Sequence, residues 1–201
     1  KMVNLILVRH GESLWNEKGL WTGWADIGLS EKGKEESRLA GEKLKGFPID
    51  IAYTSVLLRA KQTLDEIKIV LGIDVPAYED KALNERDYGI YTGRNKWEIK
   101  KEVGDEQFQG IRRGWDVPIQ NGESLKDVYN RVVPYYSSEI LPKLKEGKNV
   151  LTVAHGNSLR ALVKHLENLS DADVVNLEIA TGEVYIYSLS KQNTIISKEI
   201  H

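Results

Sequence analysis

Two histidines of this 201-residue chain each stand at the end of an apolar run and directly before a glycine. Residues 3–8 lead through Arg9 to His10, and residues 150–154 lead to His155. Nearly continuous apolar runs are typical of strands that are buried on both faces of a parallel sheet. Because ligands bind outside the carboxyl ends of such strands, we expect both imidazoles to lie beside a ligand.

Arginines accompany the two histidines. Arg9 precedes His10 directly, and Arg59 falls at the start of a predicted helix, where the helix dipole already favours an anion. Gly11 is expected to leave room for a ligand to approach the backbone. Cations around a pair of imidazoles suit a phosphate group, and a neutral imidazole can attack phosphorus to form a phosphohistidine. The pattern therefore indicates phosphate chemistry.

Two other interpretations of these histidines are open from the residues alone. A single histidine at a strand end most often packs there or caps a helix, and only the neighbouring arginines favour a functional role. Metal binding is the rival chemistry, but neither His10 nor His155 has a third histidine or a carboxylate beside it at ligand spacing. The chain also has no cysteine, which excludes a thiol nucleophile and a zinc–cysteinate site. We therefore predict no metal.

Composition excludes several classes of protein. The chain has 28 Lys and Arg against 30 Asp and Glu, a formal net charge of −2, so a basic nucleic-acid-binding protein is not expected. The longest aliphatic run, residues 5–8, is far shorter than the roughly 20 residues that span a bilayer. We predict a cytoplasmic protein that contacts neither membrane nor nucleic acid.

Alternating strands and helices must position these residues. The patterns predict strands at 3–8, 51–54, 150–154, 184–189 and 194–196. They predict helices from the cap Ser30 to about 44, from Ser55 to 71, from Ser124 to 144 with a kink at Pro134, and at 158–166. Short helices near 95–103 and 105–112 interrupt an otherwise irregular stretch. This order favours one α/β domain over 1–201, with three α/β/α layers around a mostly parallel sheet.

Short motifs recur in a fixed order along nearly the whole chain. They are Leu7-Val8-Arg9-His10-Gly11-Glu12-Ser13, Asn16, Thr22-Gly23-Trp24, Thr54-Ser55 with Arg59-Ala60, Leu83-Asn84-Glu85-Arg86 with Tyr88-Gly89, Gly93 with Asn95-Lys96, and Ala154-His155-Gly156-Asn157-Ser158-Leu159-Arg160. The ordered set resembles the histidine phosphatase superfamily and, within it, the cofactor-dependent phosphoglycerate mutase family. An ordered set is far more specific than an Arg-His-Gly triplet alone.

The resemblance implies a phosphoglycerate mutase-like fold and a role for each matching residue. His10 would carry the phosphoryl group, and His155 would stabilise the charge of the transition state. Arg9 and Arg59 would hold the transferring oxygens, and Glu85 would act as general acid and base on the substrate hydroxyl. The remaining substrate-binding residues would be Ser13, Asn16, Thr22, Gly23, Arg86, Tyr88, Lys96, Arg112, Arg113, Gly156 and Asn157.

The function implied is the interconversion of 3-phosphoglycerate and 2-phosphoglycerate, primed by 2,3-bisphosphoglycerate and without a metal. Residues at about 84–121 would form an insert and lid over the site. A phosphatase of small phosphate esters is the alternative, since both activities use the same phosphohistidine, and a non-catalytic phosphate-binding protein is a third. From the residues alone, an ion pair between Glu85 and Arg86 is the better interpretation of that glutamate, and only the family pattern favours a catalytic role.

Three features depart from the family pattern. The chain passes from Gln120 to Ser124 without the proline-rich tract of longer members, which would leave a shorter lid. Asp87 stands where the family usually has a histidine, and its charge is unfavourable unless it points outward or pairs with Arg86. Residues 66–75 lack the tryptophans of the family's subunit contact. We therefore expect a monomer or a weak homo-oligomer.

Overall fold

Six strands form the central sheet in the computed structural model, which describes residues 2–201. They are β1 (Val3–Arg9), β2 (Ile51–Thr54), β3 (Ala77–Glu79), β4 (Val150–Ala154), β5 (Val184–Leu189) and β6 (Ile195–Ile200). The spatial order is β3-β2-β4-β1-β5-β6. The first four strands in this order pair in parallel, and β5 and β6 are antiparallel to their neighbours. The predicted α/β class with a mostly parallel sheet is confirmed.

Nine α-helices connect and cover the strands in the described residues. They are α1 (Leu14–Glu17), α2 (Glu31–Lys43), α3 (Leu58–Leu71), α4 (Lys96–Val103), α5 (Asp105–Arg113), α6 (Leu125–Tyr135), α7 (Leu141–Lys145), α8 (Gly156–Leu166) and α9 (Asp171–Val175). Capping residues in the sequence determine where several of these helices begin or end. The Ser30 hydroxyl accepts the N–H of Gly33 and begins α2, and Gly72 ends α3 in the left-handed conformation at φ +63°.

The strands bury both faces, and β1 shows how. Leu5 and Leu7 point to the core shared with α6 and α8, whereas Ile6 and Val8 point to the core shared with α2 and α3. This alternation follows from the two-residue period of a strand and gives the three predicted layers. A third apolar cluster joins the irregular segment to the loop after β1. Its members are Trp21, Tyr88, Ile99, Phe108, Ile111 and Ile119.

Several predicted boundaries are wrong. Ser55 does not begin α3, whose cap is Leu57, and α8 begins at Gly156 rather than at Ser158. The long helix predicted to run from Ser124 to 144 is divided by a π-helical turn, Tyr136–Ile140, next to Pro134, which cannot donate a backbone hydrogen bond. The strand β3 and the helix α9 were not predicted, because both are very short. No helix of residues 2–201 combines the length and apolar composition that crossing a bilayer requires.

Candidate active site

The two histidines meet because their strands are neighbours. β1 and β4 pair in parallel with Arg9 opposite Ala154, so His10 and His155 leave the sheet side by side. Their ring centroids are 4.8 Å apart, and the His10 backbone N–H donates to the Ala154 carbonyl at 3.0 Å. Both side chains are buried. The pairing of the strands therefore creates the imidazole pair that the sequence predicted.

The His10 ring is held in one tautomer. Its Nδ1 lies 2.6 Å from the carbonyl oxygen of Gly11, and a carbonyl only accepts, so Nδ1 carries the hydrogen. Burial, together with the charges of Arg59 and Arg9, holds the pKa of His10 well below its ordinary value of 6.5. The imidazole is consequently neutral, and its Nε2 has a free electron pair. This is the form of histidine that can attack phosphorus.

Two arginines hold fixed positions beside His10. The Arg9 Nη1 donates to the carbonyl of Ile179 at 2.5 Å, and Arg59 donates to the carbonyls of Ala25 and Gly23 at 2.9 and 2.7 Å. Arg59 lies in the first turn of α3, and burial lowers its pKa to about 10, so it stays charged at neutral pH. Both arginines line the same cavity as His10. Their bonds to carbonyls orient the guanidinium groups without neutralising them.

Glu85 is held by backbone donors and not by an ion pair. Its Oε1 accepts the N–H of Arg86 at 2.7 Å and that of Asn157 at 3.1 Å. The Arg86 guanidinium is fully buried and donates instead to three backbone carbonyls, those of Glu123, Ile111 and Val117. The alternative interpretation of Glu85 as an ion-pair partner of Arg86 is therefore wrong. Glu85 lines the cavity and keeps Oε2 for another partner.

A second group of cations comes from α4 and α5. Lys96, Arg112 and Arg113 all line the cavity. Burial, and next the charges of Arg112 and Arg9, lower the pKa of Lys96 to about 8. Arg113 forms an ion pair with Glu178 at 2.5 Å. The apolar cluster around Trp21 holds these two helices against the loop after β1, and Trp21 stacks on Tyr88 with a centroid distance of 5.6 Å.

The cavity gathers most of the predicted site residues and leaves three outside its lining. Ser13 is buried and accepts the N–H of Asn16 as the cap of α1. Arg86 donates to the three carbonyls described above, and the His155 ring is in contact with the ring of His10, which does line the cavity. The predicted residues that line the cavity are Arg9, His10, Asn16, Thr22, Gly23, Arg59, Glu85, Tyr88, Lys96, Arg112, Arg113, Gly156 and Asn157. The side chains of Ser13 and Arg86, both predicted to bind substrate, thus make their hydrogen bonds to groups of the protein itself.

The structure also explains two other residues of this region, Gly11 and Asp87. Gly11 was predicted to leave room for a ligand, but it is the backbone of Gly33 that requires a glycine here. A Cβ on Gly11 would lie 2.1 Å from the Gly33 carbonyl oxygen. The Asp87 carboxylate neither lines the cavity nor pairs with Arg86. It accepts the N–H of Gly89 at 2.9 Å, which places its charge at the start of the short 3₁₀ turn Gly89–Tyr91.

Sequence reasoning gave no role to Arg160, which lines the cavity. This arginine is buried on α8, and its guanidinium donates to Asn157 Oδ1 at 2.9 Å and to the carbonyl of Arg113 at 2.9 Å. Asn157 in turn donates to the Tyr88 hydroxyl at 2.9 Å. An arginine on the apolar face of a helix is a usable signal, because charged residues are rarely buried without partners. Trp21, Glu178 and Ile179 complete the lining.

Two buried nitrogens at this site have no hydrogen-bond partner within residues 2–201. They are Nε of Arg9 and Nδ1 of His155. Buried polar atoms are nearly always paired in folded proteins, so these two nitrogens are candidates for contact with a ligand. Residues 2–201 contain no group of three or more His, Asp or Glu side chains arranged to hold a metal ion. The cationic side chains of the cavity suit an anion.

The fold and the cationic cavity beside two histidines are those of a protein that handles phosphate groups. A family model described as the histidine phosphatase superfamily (branch 1) matches residues 5–199, and the chain belongs to this superfamily. Among solved structures, "Bacillus stearothermophilus YhfR" superposes with a TM-score of 0.83 at 27% identity, covering 96% of this chain and 94% of the other. "Mycobacterial hydrolase 1" has a TM-score of 0.84 at 23% identity, covering 100% and 97%. The latter similarity is one of fold.

Curated relatives are more similar in sequence. A 2,3-bisphosphoglycerate-dependent phosphoglycerate mutase of Chelativorans sp. (strain BNC1) is 53% identical over 199 residues, covering 98% of this chain and 97% of the relative. A protein of the same name from Nitrobacter hamburgensis is 52% identical over 197 residues, covering 96% and 95%. The matches therefore span nearly the whole of both relatives as well as nearly the whole of this chain.

Proposed function

We propose that this protein interconverts 3-phosphoglycerate and 2-phosphoglycerate through a phosphorylated His10, primed by 2,3-bisphosphoglycerate. The observation that carries the proposal is the neutral His10 imidazole, with Nδ1 bound to Gly11 and Nε2 free, in a cavity lined by six cationic side chains and Glu85. The names of relatives at about 50% identity support the same activity.

The residues present fit the proposed primer. When bound, 2,3-bisphosphoglycerate supplies the phosphoryl group that loads His10. Arg9 and Arg59 would hold the phosphate next to His10. The unpaired Nε of Arg9 and the unpaired Nδ1 of His155, whose ring contacts that of His10, would face this phosphate. Lys96, Arg112 and Arg113 would hold the second phosphate and the carboxylate. A nearly neutral protein thus concentrates positive charge in one cavity, which is what a ligand with several negative charges requires.

Phosphoryl transfer to the protein uses the free nitrogen of His10. Nε2 donates its electron pair to phosphorus, so an N–P bond forms as the P–O bond to the departing hydroxyl breaks. Nδ1 keeps its hydrogen because the Gly11 carbonyl accepts it at 2.6 Å. Arg9 and Arg59 stabilise the negative charge on the equatorial oxygens, and they are already oriented before the ligand arrives.

Return of the phosphoryl group uses Glu85. The two backbone N–H groups on Oε1 leave Oε2 to take the proton from the attacking hydroxyl of the phosphoglycerate. As the new O–P bond forms, the N–P bond breaks and its electron pair returns to Nε2 of His10. In the earlier step, when His10 is phosphorylated, the protonated carboxyl of Glu85 donates its proton to the departing oxygen. Glu85 therefore alternates between base and acid.

A mutase must hold its substrate so that a hydroxyl reaches the phosphohistidine before water does. In our proposal Lys96, Arg112 and Arg113 provide that hold, and residues 84–121 cover the site. The cluster around Trp21 supports this role, because it fixes α4 and α5 to the loop after β1. A phosphatase of simple phosphate esters would have no second anionic group for these three cations to bind.

The test follows radiolabel from 2,3-bisphosphoglycerate into the protein and measures conversion of 3-phosphoglycerate with and without primer. We expect an acid-labile phosphoenzyme, primer-dependent isomerisation, and loss of both in His10→Ala. His165→Ala is the matched control, because that exposed histidine lies outside the cavity. Sustained isomerisation by His10→Ala would refute the proposed nucleophile. Phosphate release that outruns isomerisation by the unaltered protein would identify a phosphatase instead.

A further inference from the structure

Ser55 contacts His155 from outside the cavity. It follows β2, which pairs in parallel with β4 so that Thr54 lies opposite Val153, and this register brings Ser55 next to His155. The Ser55 side chain is completely buried, and its Oγ lies 2.6 Å from Nε2 of His155. Ser55 does not line the cavity, and the site residue to which its hydroxyl bonds is His155, so an effect of that hydroxyl on the reaction is expected to pass through His155.

The hydrogens of this contact can be assigned by elimination. Ser55 Oγ accepts the N–H of Leu57 at 3.2 Å. A hydroxyl has one hydrogen, and within residues 2–201 the only acceptor at hydrogen-bond distance from Oγ is Nε2 of His155. The hydroxyl therefore donates to Nε2, and the ring hydrogen of the neutral imidazole is on Nδ1. The opposite arrangement would leave the hydroxyl hydrogen buried without an acceptor.

The consequence concerns the one nitrogen of His155 that remains available. Nδ1 is buried and has no partner among the described residues, and the ring it belongs to is 4.8 Å from that of His10. With its hydrogen, Nδ1 is a donor, like the unpaired Nε of Arg9. Without it, Nδ1 would present an electron pair to a phosphoryl oxygen, and the two would repel each other.

We propose that Ser55 is a positioning residue that fixes His155 in the Nδ1–H tautomer, so that Nδ1 donates to the transferring phosphoryl group. This inference rests on the proposed function of the site. Burial and the charge of Arg59 keep the pKa of His155 well below 6.5, so the ring cannot offer a donor simply by taking up a proton in the free protein. The hydroxyl of Ser55 decides which nitrogen carries the hydrogen.

The first experiment measures the tautomer directly. Nitrogen-15 spectra of the full-length protein with labelled histidine distinguish a protonated ring nitrogen from an unprotonated one, and His155→Asn assigns the signals. We expect Nδ1–H with unprotonated Nε2 in the unaltered protein, and a mixture of tautomers in Ser55→Ala. An Nε2–H tautomer in the unaltered protein overturns the inference, whatever the variants do and whether or not the protein is a mutase.

The second experiment measures His10 phosphorylation by 2,3-bisphosphoglycerate in a single turnover. Loss of one donor at a developing charge lowers a rate by about 100-fold, and we expect that fall in Ser55→Ala with the primer KM changed less than about twofold. Ser55→Thr keeps the hydroxyl and should restore most of the rate. Ser124→Ala is the control, because it removes a mostly buried capping hydroxyl that contacts only Asp127.

The outcomes separate this inference from the proposed function. If the unaltered protein takes no phosphoryl group from the primer, the proposed function fails while the tautomer measurement still stands. If the unaltered protein is phosphorylated and Ser55→Ala keeps its rate, the positioning role of Ser55 is refuted. The same holds if Ser55→Ala and Ser124→Ala lose rate equally, because that loss would reflect stability alone.

Discussion

Replacing Lys96 by methionine separates what its charge does for binding from what it does for stability. Lys96 is the first residue of α4, where the helix dipole disfavours a cation, and it lies near the charges of Arg112 and Arg9. Its pKa falls from the ordinary 10.5 to about 8, which corresponds to about 3 kcal/mol against the charged form in the folded protein. The free protein therefore tolerates this ammonium at a cost.

The sign of the stability effect follows from proton binding. Between pH 8 and 10.5 the unfolded chain holds the Lys96 proton more firmly than the folded protein does. Stability consequently rises with pH across that window, and the full penalty applies below it. Methionine keeps much of the apolar stem and removes the charge. We expect Lys96→Met to raise the free energy of unfolding at pH 7 by about 1–3 kcal/mol, below the full penalty.

Binding should change in the opposite direction. A bound anion raises the pKa of Lys96, so above pH 8 the ligand binds together with a proton. For the unaltered protein we expect the KM for 3-phosphoglycerate to rise about tenfold between pH 7 and 9. A hydrogen bond to a charged group contributes about 1.5–3 kcal/mol, so Lys96→Met should raise the KM at pH 7 by about 10- to 100-fold. This part of the pH dependence should disappear in the variant.

The assays are urea unfolding at pH 7 and steady-state kinetics at pH 7, 8 and 9. Lys101→Met serves as the control, because Lys101 is an exposed lysine of the same helix. The reasoning is refuted if Lys96→Met is less stable than the unaltered protein, or if it retains both the KM and its dependence on pH. A parallel gain in stability in Lys101→Met would show that the effect is not specific to the cavity.

Three further substitutions test the packing at Gly11 and the separate roles of two arginines. Gly11→Ala would bring a Cβ within 2.1 Å of the Gly33 carbonyl oxygen, and we expect urea unfolding to show a loss of about 3 kcal/mol or more; a loss below about 1 kcal/mol would contradict this packing. Arg86→Met leaves three buried carbonyls without donors and should cost about 3–5 kcal/mol in the same assay. Arg112→Met should instead keep stability and raise KM, and similar losses in the two arginine variants would contradict their separate roles.

Secondary structure was predictable wherever a short-range cause controls it. The Ser30 cap, the Gly72 stop and the capping box at Ser124 each act within a few residues, and the structure has each where the sequence places it. Ser55 shows the limit of such reasoning. A serine before an amphipathic stretch resembles a helix cap, but its hydroxyl bonds to His155, 100 residues away, and the helix begins later.

The candidate site divides in the same way. The types of residue needed for phosphate chemistry, and the pairing of each histidine with a strand end, follow from the sequence. Which of two similar residues reaches the cavity does not follow from the sequence. Arg86 and Arg160 are both buried arginines, yet only Arg160 lines the cavity, because three carbonyls from other segments take the Arg86 guanidinium away. Glu85 forms no ion pair with Arg86 because the same three carbonyls bind the Arg86 guanidinium.

The sequence by itself determined the layers of this protein and the chemistry of its residues, since apolar periodicity and residue type are local properties. Tertiary structure alone decided that β4 lies beside β1, which brings His10 and His155 together, and that the Gly11 carbonyl accepts the hydrogen of His10 Nδ1. It also decided which nitrogen of each imidazole is free. Those outcomes depend on strand register and on partners far apart in the chain, and a hydrogen bond of this kind exists only when the fold supplies both of its atoms.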